Sequence, residues 1–231
     1  NLCLGLAKGG MAQALAAPPG APLSQRAAAA GIETIASAPH GEFDLFAALR
    51  LRRIIQNKSV GILHAHDAHA HALAWMATRG LQDVRLVVSR RVDFDISRNW
   101  LSRRKYLDPR VHFLAISHGV RDVLMRGGVA PERISVVPSG VDPNRFSHGV
   151  PKDKLRRKFG IPDGAPIIGT IGSLVDHKGH RYLIDAVPRV LEQYPEARVF
   201  IVGGDEEGLR AGLEQQIRQN NLEKTVFLPG Y

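Results

Sequence analysis

Short β-branched runs alternate with helical segments along almost the whole chain, and few folds accept that order. Strand, helix, strand makes a βαβ crossover, and a series of crossovers makes a parallel sheet flanked by helices. Val60–Ala65, Arg85–Ser89 and Val111–Ser117 are apolar nearly throughout and read as buried parallel strands, with Ile134–Val137 as the next. Ahead of them, Leu2–Lys8 reads as a helix closed by Gly9-Gly10, Met11–Ala17 as a weak strand, Leu23–Ala30 as a helix stopping at Gly31, and Glu33–Ala36 as a short strand. Asp44 and Asp67 stand where a carboxylate caps a helix, the first helix running to about Asn57 and the second to about Arg79. His118–Arg126 is helical and ends at Gly127-Gly128.

From Pro138 to Asn144 turn formers dominate, and residues 142–151 read as a linker. The alternation then restarts: helix Lys152–Phe159, strand Pro166–Ile171, helix His180–Gln193, strand Arg198–Val202, helix Glu206–Asn220, strand Thr225–Leu228. The expected organisation is α/β, with a parallel-sheet domain over 1–141 and the first half of a second over 152–231. Three strands are few for a doubly wound sheet, so apolar faces of the second domain are expected to lack cover and to favour self-association.

Composition narrows the function classes. With 44% hydrophobic and 23% charged residues the chain is an ordinary globular sequence, and its single cysteine, Cys3, excludes an internal disulfide framework. No run approaches the roughly 20 apolar residues of a membrane-spanning helix. The first residues lack a signal-peptide layout, which makes the cytoplasm the expected compartment. The formal charge of +9 is uneven: residues 1–150 hold 19 Lys+Arg against 11 Asp+Glu, whereas 151–231 hold 12 against 11. A basic half beside a near-neutral half points to an anionic partner: nucleic acid, an anionic membrane surface or a phosphorylated substrate.

Parallel sheets bind ligands beyond the carboxyl ends of their strands. Three such ends are unusually polar: His64-Ala65-His66-Asp67, the run Ile116–Asp122 with Ser117 and Arg121, and the run Gly169–Gly179. In the third, Gly172 lets a ligand approach the backbone, and Lys178 stands at the start of the next helix. A mobile point charge beside a helix N-terminus suits a diphosphate, and the same spacing also fits a tight βα turn with a solvated lysine. Neither a Walker loop nor a Gly-x-Gly-x-x-Gly fingerprint is present.

Around that loop the sequence resembles the family 4 glycosyltransferases. Gly169–Ala186, with His177-Lys178-Gly179 and Tyr182–Ala186, looks like the family's donor-domain signature. His64-Ala65-His66-Asp67 resembles its acceptor-domain histidine motif, and Ala115–Asp122 its "S…D" helix start. Val137–Phe146 resembles its passage between domains, and Val202–Asp205 and Val226–Gly230 its later donor-domain strand ends. Six motifs stand in the expected order. The resemblance implies a GT-B fold of two Rossmann-like domains, the second here incomplete. It also implies a retaining, metal-independent enzyme that moves a sugar from a nucleotide-diphosphate donor to a glycan or lipid-linked acceptor in the interdomain cleft. Cell-envelope polysaccharide or lipopolysaccharide synthesis is the expected setting. Carried over by position, Gly172, Ser173, Lys178, Gly179 and Gly204 would bind the donor. His66 would act at the donor sugar with Asp67 as its orienting partner or as a helix cap, and Ser117, Arg121 and Arg91 would line the cleft.

Two departures stand out. Where the family usually has an arginine after the glycine of the Gly-Arg…Lys-Gly signature, this chain has Ser173, which leaves Lys178 as the only cation of the clamp. The family's first strand with its glycine-rich loop, and its Glu-x7-Glu segment, lie outside the sequence, as expected of a chain truncated at both ends. A sugar-nucleotide epimerase of the same layout, or a non-catalytic nucleotide-sugar-binding fragment, are the alternatives.

His64, His66, His69 and His71 invite a zinc assignment, but His69 and His71 stand about 200° apart around a helix and no cysteine is near, so no metal site is expected. Arg98–Tyr106 mixes cations with Trp100 and Tyr106. It reads either as a solvated helix face or as contact with an anionic membrane, peripherally, or with a phosphorylated acceptor. No nucleic-acid-binding module is visible, and nucleic acid is not an expected partner.

Overall fold

A computed structural model describes residues 2–41, 43–96, 99–144 and 153–231. The chain divides into two compact units, Asn1–Val141 and Asp142–Tyr231.

The first unit begins with α1 (Leu2–Lys8), β1 (Ala14–Ala17), α2 (Pro22–Ala29) and β2 (Glu33–Ala36), the two strands pairing in parallel as a small sheet of their own. α3 (Leu45–Asn57) leads to a four-stranded sheet of β3 (Ile62–Ala65), β4 (Arg85–Arg90), β5 (Val111–Ala115) and β6 (Ile134–Val136). Its crossovers contain α4 (Ala68–Ala77), α5 (Trp100–Leu107) and α6 (His118–Arg126). All four strands run the same way in the order β3-β4-β5-β6, so their carboxyl ends form one edge.

One face of this sheet holds the core: Ala65, Leu86, Val88, Val111, Phe113 and Ala115 pack against Trp75, Tyr106, Val120 and Leu124. The alternate side chains are only half-buried, which corrects the expectation of strands buried on both faces. His64 and His112 lie on that second face, and each ring Nε2 meets a serine hydroxyl of the neighbouring strand at 2.9 Å, Ser89 and Ser135 respectively. The polar groups that break the apolar pattern thus satisfy one another across strands.

The second unit contains α7 (Asp153–Phe159), β7 (Ile167–Ile171), α8 (His180–Gln193), β8 (Arg198–Val202), α9 (Arg210–Gln219) and β9 (Val226–Gly230). Its sheet is parallel in the order β7-β8-β9. Leu174, Ile184, Val187, Val199, Ile201, Leu213, Ile217 and Val226 form its core, and Phe159 closes over Phe200 and Phe227 on the other face.

Three boundaries differ from expectation. The first strand begins only at Ala14, after Gly10 (φ 75°) has turned the chain. α9 starts at Arg210 rather than Glu206, because Gly208 takes φ 70° and the Asp205 carboxylate accepts from the Arg210 N–H at 3.2 Å. α5 spans Trp100–Leu107 in the stretch read as a solvated helix face, and it buries Lys105 and Tyr106. Most of the expected linker, including Arg145 and Phe146, lies outside the described residues, as do Ser97 and Arg98.

Candidate functional site

At the carboxyl edge of the first unit, β3 ends in Ala65 and delivers His66 and Asp67 into the turn before α4. Asp67 is extended (φ −145°) and its Oδ1 accepts from the Ala70 N–H at 2.8 Å, so the carboxylate caps α4. His66 is exposed, and its ring stands 4.1 Å from that of His64, centroid to centroid. Desolvation where the rings crowd together, and then the positive charge of Arg91, hold His66 below its ordinary pKa, with Asp67 pulling the other way. His64 falls further, to about 4, through burial, His66 and Arg91. Both imidazoles are therefore neutral at neutral pH and can exchange hydrogen bonds with a polar ligand.

Arg91 leaves the end of β4, whose last residue, Arg90, acts as a staple. The Arg90 guanidinium donates to the Tyr106 hydroxyl and to the carbonyls of Val92 and Phe94, fixing the loop that carries Arg91. Ser117 is the cap of α6, accepting from the Val120 N–H at 3.2 Å. Arg121, one turn on, pairs with Asp122 at 3.0 Å. The fold thus brings His66, Asp67, Arg91 and Ser117 to one sheet edge, with Arg121 in the first turn beyond it.

The four histidines are split between environments. His69 is exposed, whereas His71 is buried edge-on against Tyr106 and Phe113. Among the described residues no group of three His, Cys, Asp or Glu is placed to hold a metal ion.

In the second unit the three strand ends are laced together by backbone bonds. The Gly172 N–H donates to the Val202 carbonyl at 2.9 Å, Leu174 to Gly204 at 2.7 Å, and Gly203 to Gly230 at 3.2 Å. Lys178 ends a single 3-10 turn, Asp176–Lys178, and Gly179, in the left-handed region at φ 69°, swings the chain into α8. A Cβ on Gly172 would touch only the aliphatic stem of Lys178, at 3.8 Å, so that stem lies along the glycine. Lys178 is exposed and makes no ion pair among the described residues. A free cation beside bare backbone, at the mouth of a 14-residue helix, attracts an anion.

Two residues here escaped the sequence reading. His180, buried at the first position of α8, places Nε2 2.9 Å from the Ser173 carbonyl and so holds the Gly172-Ser173 turn against the helix. Glu206 crowds Gly204, where a Cβ would lie 2.5 Å from its Oε1. A helix-start histidine seven residues past a strand-end serine was visible, but its inward rotamer was not.

Known proteins share this layout. The family model described as Glycosyltransferase Family 4 matches residues 1–145, and that described as Glycosyl transferases group 1 matches 151–231. Over 87 residues the chain is 40% identical to the GDP-mannose-dependent monoacylated alpha-(1-6)-phosphatidylinositol monomannoside mannosyltransferase of Corynebacterium glutamicum, covering 36% of this chain and 23% of that protein. A glycosyltransferase from Rickettsia africae superposes with a TM-score of 0.83 at 20% identity, covering 99% of this chain and 62% of its own. Anabaena Alr3699/HepE, solved with UDP and glucose, gives 0.79 at 19% identity, covering 100% and 65%. The chain therefore spans less than two thirds of the length of these relatives. No described helix is long and apolar enough to cross a membrane. With two parallel-sheet units of the GT-B fold and a family model matched across the whole of the first, the chain belongs to the family 4 glycosyltransferases.

Proposed function

We propose that the protein transfers a hexosyl group, with retention, from a nucleoside-diphosphate sugar to a glycan or lipid-linked acceptor in cell-envelope synthesis. The observation that carries this reading is the pairing of Gly172 with Lys178 at the laced strand ends of the second unit. As the sugar leaves, negative charge gathers on the diphosphate, and a lysine at a helix mouth stabilises that charge without a metal. Gly172 leaves the backbone bare for close approach, while His180 and Gly179 keep the turn in shape. In the first unit, neutral His66 bonds a hydroxyl of the donor sugar, and Asp67 holds the helix start on which that histidine depends. Ser117, Arg91 and Arg121 face the acceptor, whose negative charge suits the basic half of the chain. The complex of HepE with UDP and the GDP-mannose dependence of the corynebacterial relative support a nucleotide-sugar donor without choosing its base.

The test is turnover. Incubated with nucleoside-diphosphate sugars and an anionic glycolipid acceptor in the presence of EDTA, the enzyme should release nucleoside diphosphate and form an α-linked product from an α-linked donor. Release of free sugar epimer without acceptor, or strict dependence on added metal, would contradict this assignment.

A further inference from the structure

α5 buries two side chains with polar tips, Lys105 at 1% exposure and Tyr106 at 5%. An ammonium is costly to bury without polar contacts, so the groups it reaches bear on why it is there. The helix of a crossover runs back against the strands, and side chains lean towards a helix N-terminus. From the end of α5 both side chains therefore reach towards the carboxyl edge of the sheet, where His66 and Arg91 stand.

That end of α5 is a fixed base. Asp108 closes it, accepting from the Trp75 Nε1–H of α4 at 2.8 Å and from Arg110 at 2.7 Å. The Arg133 guanidinium donates to the carbonyls of Asp108 and Tyr106. Lys105 then extends its Nζ to 3.4 Å from the carbonyl of Ala68, the residue after the capping Asp67 and two past His66. The same Nζ lies 5.9 Å from the centroid of the Phe43 ring, just ahead of the Asp44 cap of α3. Tyr106 accepts from the Arg90 guanidinium, which also holds the carbonyls of Val92 and Phe94. Its ring is stacked on Phe113, with centroids 5.5 Å apart, so the core of the sheet aims the hydroxyl.

Adjacent residues of one helix thus grip two loops: the turn between β3 and α4 through Ala68, and the loop after β4 through Arg90. Those loops carry His66 and Arg91, and the charge of Arg91 already reaches the imidazole.

We propose that Lys105 and Tyr106 are positioning residues that set the spacing between His66 and Arg91 from behind, a role that rests on the transferase reading of those two groups. They act through the two loops and not on substrate. A reacting group about 1 Å out of place can cost about a hundredfold in rate, so this brace bears on turnover. Donor affinity draws on Lys178 and is left alone.

In the full-length protein, Lys105→Met keeps an unbranched stem and removes the ammonium, and Tyr106→Phe removes one hydroxyl. Each should lower kcat about 10- to 100-fold, while donor KM and the affinity for UDP or GDP hold. The second readout is the His66 imidazole, followed by NMR titration and assigned by the peak lost in His66→Gln. With either loop released, His66 feels less of Arg91, and its midpoint should rise towards the ordinary histidine value. The charges acting on His66 are those of Arg91 and Asp67, so a rise in Lys105→Met reports movement and not a deleted charge. Midpoints that match the parent's in both folded variants, whatever their melting temperatures, would overturn the proposal, and so would unaltered kcat in both. Should one variant fail to fold, the other decides. The titration needs neither donor nor acceptor, so it stands even if the parent shows no turnover, which is the separate test of the transferase assignment.

Discussion

Gly172 and Gly203 meet backbone to backbone at the strand ends of the second unit: a Cβ on Gly203 would lie 2.0 Å from the Gly172 carbonyl oxygen. The two glycines therefore differ in what they permit. Gly203→Ala must push the neighbouring turn aside, and overpacking against backbone costs about 1–3 kcal/mol. Gly172→Ala meets only ordinary contact with Lys178, so stability should hold while nucleotide binding weakens, because the added methyl would occupy the approach proposed for the phosphates. Thermal unfolding and nucleotide titration of both variants would check this. Equal stability loss in the two would contradict the geometry.

Asp67 caps α4, and that role can be separated from chemistry. Asp67→Ala should cost about 1 kcal/mol of stability, the usual loss for a missing cap. Asp67→Asn keeps an accepting oxygen and should keep both stability and turnover within severalfold. A hundredfold loss of turnover in the asparagine variant, with stability intact, would show that the negative charge itself serves the reaction through His66.

His71 makes the fold sensitive to acid. Among the described residues neither ring nitrogen has a hydrogen-bond partner of good geometry, while the Lys105 backbone favours the protonated ring. Burial, and then the charge of Lys105, depress its pKa to about 3. The unfolded chain takes up the proton near 6.5, so between 6.5 and about 3 the unfolded state binds more protons and stability is lost as the pH drops; above 6.5 the effect vanishes. At 1.36 kcal/mol per pH unit this amounts to roughly 2–3 kcal/mol at pH 4.5. His64, depressed to about 4, acts in the same direction. His71→Leu should equal or exceed the parent in stability at pH 7 and lose much less on acidification. Urea unfolding at pH 7 and 4.5 would reveal this, and parallel losses in parent and variant would refute it.

Much of the fold could be read from residue order. Asp44 and Asp67 announced their helices because a capping carboxylate is a local device, and each accepts from the N–H three residues on. Strands Glu33–Ala36 and Arg198–Val202 and helix His180–Gln193 were legible from apolar period and flanking turns. α5 was legible only as a solvated face, because its inward positions include Lys105 and Tyr106, and a buried lysine erases the apolar stripe that tells which side packs. The start of α9 was misjudged although Gly208 stood in view, since whether a glycine breaks or joins a helix depends on a φ that the sequence does not carry. At the site, glycines and Lys178 were visible as residue types, whereas the bonds of His180 to Ser173 and of His64 to Ser89 arise from rotamers and strand pairing.

Titration calorimetry of the protein with UDP and with GDP, parent against Lys178→Ala, bears most directly on the donor site. At least one nucleotide should bind saturably, and the variant should bind it about 5- to 150-fold more weakly, the equivalent of about 1–3 kcal/mol for a lost charge-assisted contact, with its melting temperature unchanged. Equal affinity in parent and variant, or no binding of either nucleotide to the folded protein, would contradict the assignment of Lys178 to the diphosphate.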